Sequence, residues 1–319
     1  MIQTDSVPDA TASAEDHADF LELCAFRSTS GGFSNQEFIR DLRIGNASET
    51  VADSSDQDDE GEPDEETEAI SQSAFDELDE RRRHFGTNID HYPFDVSSTS
   101  VSVKPGGEKS LYAFLALLSW YGKDAGPPGT DGERIFEDVC AKAVEVYLGG
   151  PAERVRSHVF GFPRRVLPKG FAAALDFLCK ECGEGTGHHK GRANLPDQKD
   201  AKLDIVAWIE FEDRRAGKVM TFGQCATGKN WEKETKEREL QPDPWCRYWM
   251  TESPAVIPFR SFFIPHRIER DNWYYTCVFG GVLYDRCRIA SLASRANGDL
   301  QKQWIDWSAH VLQEIRGTQ

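Results

Sequence analysis

The chain has 319 residues, 39% of them hydrophobic, enough for one substantial core plus an appended segment. Its net charge of -17 sits almost wholly in residues 1–83, which hold 23 of the 54 Asp and Glu but 6 of the 37 Lys and Arg; the remainder carries 31 of each sign, so the overall charge does not exclude a phosphate-bearing partner. Eight dispersed cysteines exclude a small disulfide scaffold, no apolar run reaches the ~18–20 residues of a membrane span, and MIQTDSVPDA lacks the basic and apolar regions of a signal peptide, so a cytoplasmic, thiol-reduced protein without a membrane partner is expected.

In chain order, HADFLELCAF and NQEFIRDLRI, between Ala14 and Ile44, are amphipathic stretches parted by STSGGFS. They predict a helical hairpin within a first segment, residues 1–47, which is also the expected contact for a partner protein. SETVADSSDQDDEGEPDEETEAISQS then crowds like charges with few apolar side chains, so residues 48–70 are expected to be an acidic, disordered linker. Such a tract can also mimic nucleic acid, but solvation is the simpler role. Residues 71–129 make a connector: a charged helix near Ser73–His84, an extended hairpin-like segment in YPFDVSSTSVSVKP, and a buried helix in SLYAFLALLSWYG. The Pro- and Gly-rich KDAGPPGTDG leads into the predicted core, residues 130–319.

In that core GERIFEDVCAKAVEVYLGG predicts a helix over Glu133–Leu148, stopped by Gly149 and Gly150, with Phe136, Cys140, Val144 and Tyr147 on its apolar stripe. RSHVFGFP reads as a short strand, FAAALDFLCKECGEG as a helix, and KLDIVAWIEF and KVMTFGQC as strands joined by EDRRAG. NWEKETKEREL predicts a helix, AVIPFRSFFIP a strand, and QKQWIDWSAHVLQEI a closing amphipathic helix through Trp304, Val311, Leu312 and Ile315. The order helix, strand, insert, strand, strand, helix, strand predicts an α/β protein with a central mixed sheet flanked by helices.

Asp204 lies in the apolar run Leu203–Ile209, where an unpaired carboxylate is costly, so a partner or a metal is expected. Gln224 closes the next strand beside Cys225 and Ala226. Glu137 shares one side of its helix with Glu133 and Ala141, which can aim it at the strand ends. Hard oxygen ligands on neighbouring strands suit the divalent cations of phosphodiester hydrolysis. The plainer alternative for Asp204 is a carboxylate that caps or bridges a strand end.

A Glu on a helix, an Asp on one strand and a Glu or Gln on the next resembles the PD-(D/E)XK, or restriction-endonuclease-like, nuclease superfamily; Phe136-Glu137, Asp204 and Gln224 carry the resemblance, over roughly residues 130–266. It implies a restriction-endonuclease-like core in which Asp204, Gln224 and the main-chain carbonyl of Cys225 bind magnesium, or manganese in its place, with Glu137 as an outer or second-metal ligand. It also implies hydrolysis of DNA, or RNA, in restriction, repair or defence against foreign DNA. The superfamily's lysine belongs at position 226, which is Ala; Lys229 is the expected replacement. Lys229, Lys233 and Lys236 then form a basic stripe on the predicted helix, or an ordinary solvated face in which Glu232 pairs with Lys236 and Glu234 with Arg238. A chain that lost its lysine is instead an inactive nucleic-acid- or partner-binding module on the same fold.

Two other patterns compete. GQCATGKN, Gly223–Asn230, nearly matches the GxxxxGK[ST] phosphate loop, with Asn230 in place of the hydroxyl and Asp285 after VLY as the Walker-B-like acid, which would make the protein nucleotide-binding. Cys179 and Cys182 with His188 and His189 invite zinc, but histidines six and seven residues beyond a single C-x-x-C are poorly spaced for it. Glu181, Glu184 and Asp200 flank the insert without an assigned role, and Trp208, Trp231, Trp245 and Trp249 are expected to pack.

Overall fold

The computed structural model describes residues 6–50, 65–86, 91–149, 154–191, 199–296 and 298–317. Helix α1 (Ala14–Arg27) starts where the Ser13 hydroxyl accepts the Asp16 N–H, with acids in its first turn and Arg27 in its last, each favourable to the helix dipole. Strand β1 (Gly32–Ser34), α2 (Asn35–Thr50), α3 (Glu65–His84), β2 (Phe94–Val96) and β3 (Ser100–Val103) follow. The expected extended hairpin is present as β2 and β3, and β1 joins it in an antiparallel sheet with β3 in the middle. α1 and α2 touch through Phe20 and Phe38, ring centroids 6.1 Å apart, and both rest on α3.

Residues 48–50 and 65–70, expected in a disordered linker, are instead ends of α2 and α3. Glu65, Glu66 and Glu68 sit in the first turn of α3, where the helix dipole favours negative charge, so acidity that argues for disorder in a run is compatible with a helix start. Residues 51–64 of that tract lie outside the described residues, as does Gly150.

The rest comprises α4 (Leu111–Tyr121), α5 (Gly132–Tyr147), β4 (Val155–Val159), α6 (Phe171–Cys182), β5 (Ile205–Ile209), β6 (Met220–Cys225), α7 (Pro242–Trp249), β7 (Phe259–Phe263), α8 (Arg270–Gly280), β8 (Val282–Tyr284), α9 (Arg286–Ala293) and α10 (Asp299–Gly317). The protein is thus mixed α/β, with two sheets and ten α-helices among the described residues. The larger sheet has the order β4-β5-β6-β7-β8, antiparallel from β4 to β6 and parallel from β6 to β8. α7 and α8 lie in the crossovers that parallel neighbours require. Among the described residues no helix is long and apolar enough to cross a membrane.

Period-two alternation along β5 sorts its side chains to two cores. Ile205 and Ala207 join Phe136, Cys140 and Val144 of α5, whereas Val206 and Trp208 join Leu175 and Leu178 of α6, Phe222 of β6 and Trp245 of α7. The first core runs from Ala18 on α1 to Ile315 on α10, so the N-terminal helices and the closing helix share one apolar interior with the sheet.

Two expectations fail, and one helix is unforeseen. Tyr147, at the end of α5, is exposed and stands edge-on to Tyr284 at 5.6 Å rather than continuing the apolar stripe. NWEKETKEREL is not an α-helix: Thr235 takes φ +51, which breaks a right-handed ladder, and one 3-10 turn at Lys236–Arg238 precedes α7. Helix α8 has no helical signal in its sequence because Tyr274, Tyr275 and Val278 face outward.

Candidate functional site

Ile205 pairs with Gly223, so the start of β5 lies beside the end of β6, and an open cleft of about 750 Å³ is lined there by Asp204, Gln224 and Cys225. Asp204 is tightly held. Its N–H donates to the Gly223 carbonyl (2.9 Å), its carbonyl accepts from Phe160 and Gly161 (2.7 and 3.1 Å), and its Oδ2 accepts the Cys225 N–H (2.7 Å). Glu137 reaches the same place from α5. A Cβ on Gly161 would stand 2.9 Å from Glu137 Oε1 and would push this carboxyl away, so glycine leaves it room against the chain that follows β4.

Among the described residues no ion-pair partner meets either carboxyl, and no hydrogen bond reaches that of Glu137. Burial and then the nearby Asp204 push Glu137 up to about 9. Burial and then Asp200 push Asp204 up to about 8, against the Cys225 N–H and the more distant Lys202 ammonium. Both carboxyls are thus raised well above the ordinary carboxylate range, Glu137 with Asp204 as its nearest repelling acid and Asp204 with Asp200 as its own. Beside them the Cys140 and Cys225 thiols hydrogen-bond each other, and burial pushes both up, which keeps them neutral.

Gln224 stands where the sequence predicts it, on the strand next to Asp204, but its amide is engaged. Oε1 accepts the Leu240 N–H (3.2 Å) and Nε2 donates to Glu239 Oε2 (2.7 Å), in a side chain only 3% exposed. The residue acts as a strut for Glu239. That carboxylate carries no motif signal, because it lies in the irregular turns after β6, yet it lines the cleft between two ammonium groups: Lys202 Nζ is 3.2 Å from Oε2 and Lys236 Nζ 3.2 Å from Oε1.

Lys229 lines the cleft too, but it begins no helix, and its ammonium stands 4.9 Å from the centre of the Trp120 ring. The predicted basic stripe is therefore absent. The helical ion pairs are replaced by Lys236 with Glu234 (3.1 Å) and Glu239, and Arg238 with Glu237 (3.0 Å).

Among the described residues no group of three His, Cys, Asp or Glu is placed to hold a metal. The donors that remain are oxygens: Asp204 Oδ1, the Glu137 carboxyl and the Cys225 carbonyl. Magnesium keeps several waters and takes one or two carboxylates, so two carboxyls lacking a counter-charge fit it in number and chemistry.

The phosphate-loop pattern does not form its usual structure. Gly223 and Gln224 belong to β6, a Cβ on Gly223 would meet the Phe263 ring at 2.6 Å, and no helix starts after Lys229 to gather N–H groups toward an anion. Asp285 caps α9 through the Arg288 N–H and pairs with Arg267. The thiols of Cys179 and Cys182 are buried and pushed up to about 11 and 12 by that burial, and neither they nor His188 and His189 form a metal group. Glu181 pairs with His158 and Glu184 accepts the Gly217, Lys218 and Ala255 N–H groups, which leaves Asp200 as the one of the three acids that lines the cleft. Trp208, Trp231 and Trp245 are buried, and Trp249 packs on Phe171 at 4.9 Å, so the four tryptophans are packing residues.

Comparison of the chain with protein-family models, with curated proteins and with solved structures finds no match.

Proposed function

We propose that the protein is a magnesium-dependent nuclease with a restriction-endonuclease-like core, acting on DNA or RNA. One observation carries this reading: the Glu137 and Asp204 carboxyls stand near each other without an ion-pair partner among the described residues, and Asp204 lines a cleft whose other side chains include Lys199, Lys202 and Lys229 beside Glu133 and Asp200. Such a pair is protonated in the metal-free chain and ionises when a divalent cation supplies the missing charge. Strand order supports it, since Asp204 and Gln224 lie on adjacent antiparallel strands, a parallel strand follows, and α5 carries Glu137 against the same sheet.

A bound cation would polarise a phosphoryl oxygen and acidify a water. The chain's own part is to hold it: Asp204 and Glu137 supply charge, the Cys225 carbonyl supplies a neutral oxygen, and Gly161 leaves the space that Glu137 occupies. The setting the resemblance implies is restriction, repair or defence against foreign DNA.

The test is incubation of wild type, Asp204→Ala and Glu137→Gln with supercoiled plasmid and with RNA, in magnesium or manganese. Cleavage by wild type, reduced at least ~10²-fold in both variants, is the expected result for loss of electrostatic stabilisation. Equal cleavage by all three sinks the mechanism. A second reading, a binding module that does not cleave, is favoured by Ala226 and by the engaged amide of Gln224; it predicts salt-dependent retention of nucleic acid with no cleavage in either metal.

A further inference from the structure

We infer that Lys202 and Lys236 form a seat for a phosphate group beside Asp204, which the Glu239 carboxylate fills in the free protein. The two ammonium groups meet the same carboxylate from opposite oxygens, each at 3.2 Å. A carboxylate between two cations presents what a phosphate presents, two anionic oxygens on one centre, so Glu239 is a chemical stand-in for such a ligand. Both lysines remain reachable from the cleft, 53% and 28% exposed.

An ordinary surface ion pair lacks the two supports found here. The first is on the acid, where buried Gln224 fixes Glu239 Oε2 at 2.7 Å and is itself fixed by the Leu240 N–H. The second is on the base. Ala201 and Lys202 take φ +56 and +70, two consecutive non-glycine residues in the left-handed region, the second of them two positions ahead of Asp204. Backbone in that region persists when surrounding contacts over-determine it, and it gathers at functional sites. The contacts are present: Asp200 Oδ1 accepts the Lys202 N–H (2.9 Å), the Asp200 carbonyl accepts the Leu203 N–H (3.2 Å), and Trp245 Nε1 donates to the Ala201 carbonyl (3.0 Å). Lys202 therefore stands at the cleft close enough to Asp204 to act on its charge, while Lys229, at the same cleft, rests over Trp120.

Glu239 competes with the incoming anion, so removing its charge strengthens binding. The seat deepens the nuclease reading by placing the phosphodiester, and it is testable without any reaction. The full-length, metal-free protein is titrated with inorganic phosphate at constant ionic strength, by calorimetry and by the side-chain ammonium resonances of lysine. Glu239→Gln is expected to tighten phosphate about three- to fivefold, and Lys202→Gln and Lys236→Gln to weaken it by a similar factor, the size of one partly solvated ion pair. Lys202→Arg retains binding. Lys229→Gln, and Glu133→Gln at the same cleft, change it by less than about twofold, because neither group faces the seat.

The inference is overturned if Glu239→Gln leaves phosphate binding unchanged or weaker, or if Glu133→Gln tightens it equally, which would reduce the effect to net charge. Phosphate bound as expected without cleavage of plasmid or RNA sinks the nuclease and leaves the seat. Cleavage with a Glu239→Gln affinity equal to wild type does the reverse.

Discussion

Between α1, α3 and α9 the protein packs charges of opposite sign together, whereas beside the cleft it sets two half-buried carboxyls near each other with no opposite charge among the described residues. Arg81 meets Asp19 (2.6 Å), Glu22 (3.0 Å) and Glu77 (2.8 Å). Arg286 meets Asp19 and Ser119 (2.7 Å each), and Arg267 meets Glu77 (3.0 Å) and Asp285. Burial raises Asp19 and Glu77, but Arg286 and Arg81 outweigh it for the first, and Arg81 and Arg267 for the second, so both lie below the usual carboxylate range. Burial raises Glu22, which accepts from the Tyr92 and Tyr112 hydroxyls at 2.8 and 2.9 Å. At Glu137 and Asp204 burial and repulsion act in one direction. Burial alone therefore does not set a carboxyl's charge: a paired acid ties elements together, and an unpaired one leaves a charge for an outside cation to supply.

The sharpest way to break the contrast is Arg286→Met, which leaves Asp19 and Glu22 to share Arg81 alone. Removing one partner of a buried network costs about 3–5 kcal/mol, so the urea midpoint is expected to collapse. Asp204→Asn keeps an oxygen for the Cys225 N–H and removes the repulsion, so the metal-free protein gains about 0.5–2 kcal/mol at pH 8.5, as expected where a site is strained for function. A midpoint that falls in that variant would place Asp204 with the structural acids. Manganese is expected to raise the wild-type melting temperature at that pH and to leave Asp204→Asn unmoved.

The pH dependence separates the regions by sign. Asp19 and Glu77 lie below their unfolded values, so their stabilisation is present above the ordinary carboxylate range and is lost as pH falls. Glu137 and Asp204, raised to about 9 and 8, bind more protons folded than unfolded above the ordinary carboxylate range. Their contribution is full at acid pH and is lost as pH climbs toward 8 and 9. Denaturant midpoints in chelator should decline on both sides, and the double variant Glu137→Gln, Asp204→Asn should flatten the alkaline limb alone. The smallest effect is expected for Lys229→Ala, about 0.5–1 kcal/mol from its contact with Trp120, with cleavage near wild type; a large loss of cleavage would return Lys229 to the reaction.

Much of the fold is legible in the sequence because its elements carry their own periodicity. The apolar run of β5, the stripe of α5 and the Trp304 to Ile315 face of α10 point to the elements observed. The segment after Gln224 misleads, since Lys229, Lys233 and Lys236 have helical spacing while Thr235 turns the backbone out of a helix. Glu239 and Lys202 carry no motif signal, because Glu239 is placed by Gln224, and the turn that Asp200 makes with Lys202 is held by Trp245 from a distant segment.

The sequence by itself determined the inner strands β5, β6 and β7, but not β1 or β8, and that Asp204 and Gln224 would stand at neighbouring strands, since period-two burial and turn chemistry are local properties. Only the tertiary structure decided which charges meet: that Glu137 would lie against Asp204 without an ion-pair partner, that Gln224 would hold a carboxylate in place, and that Lys202 would face it. Electrostatic energy depends on distance and burial, and both are set by chain segments far apart in sequence.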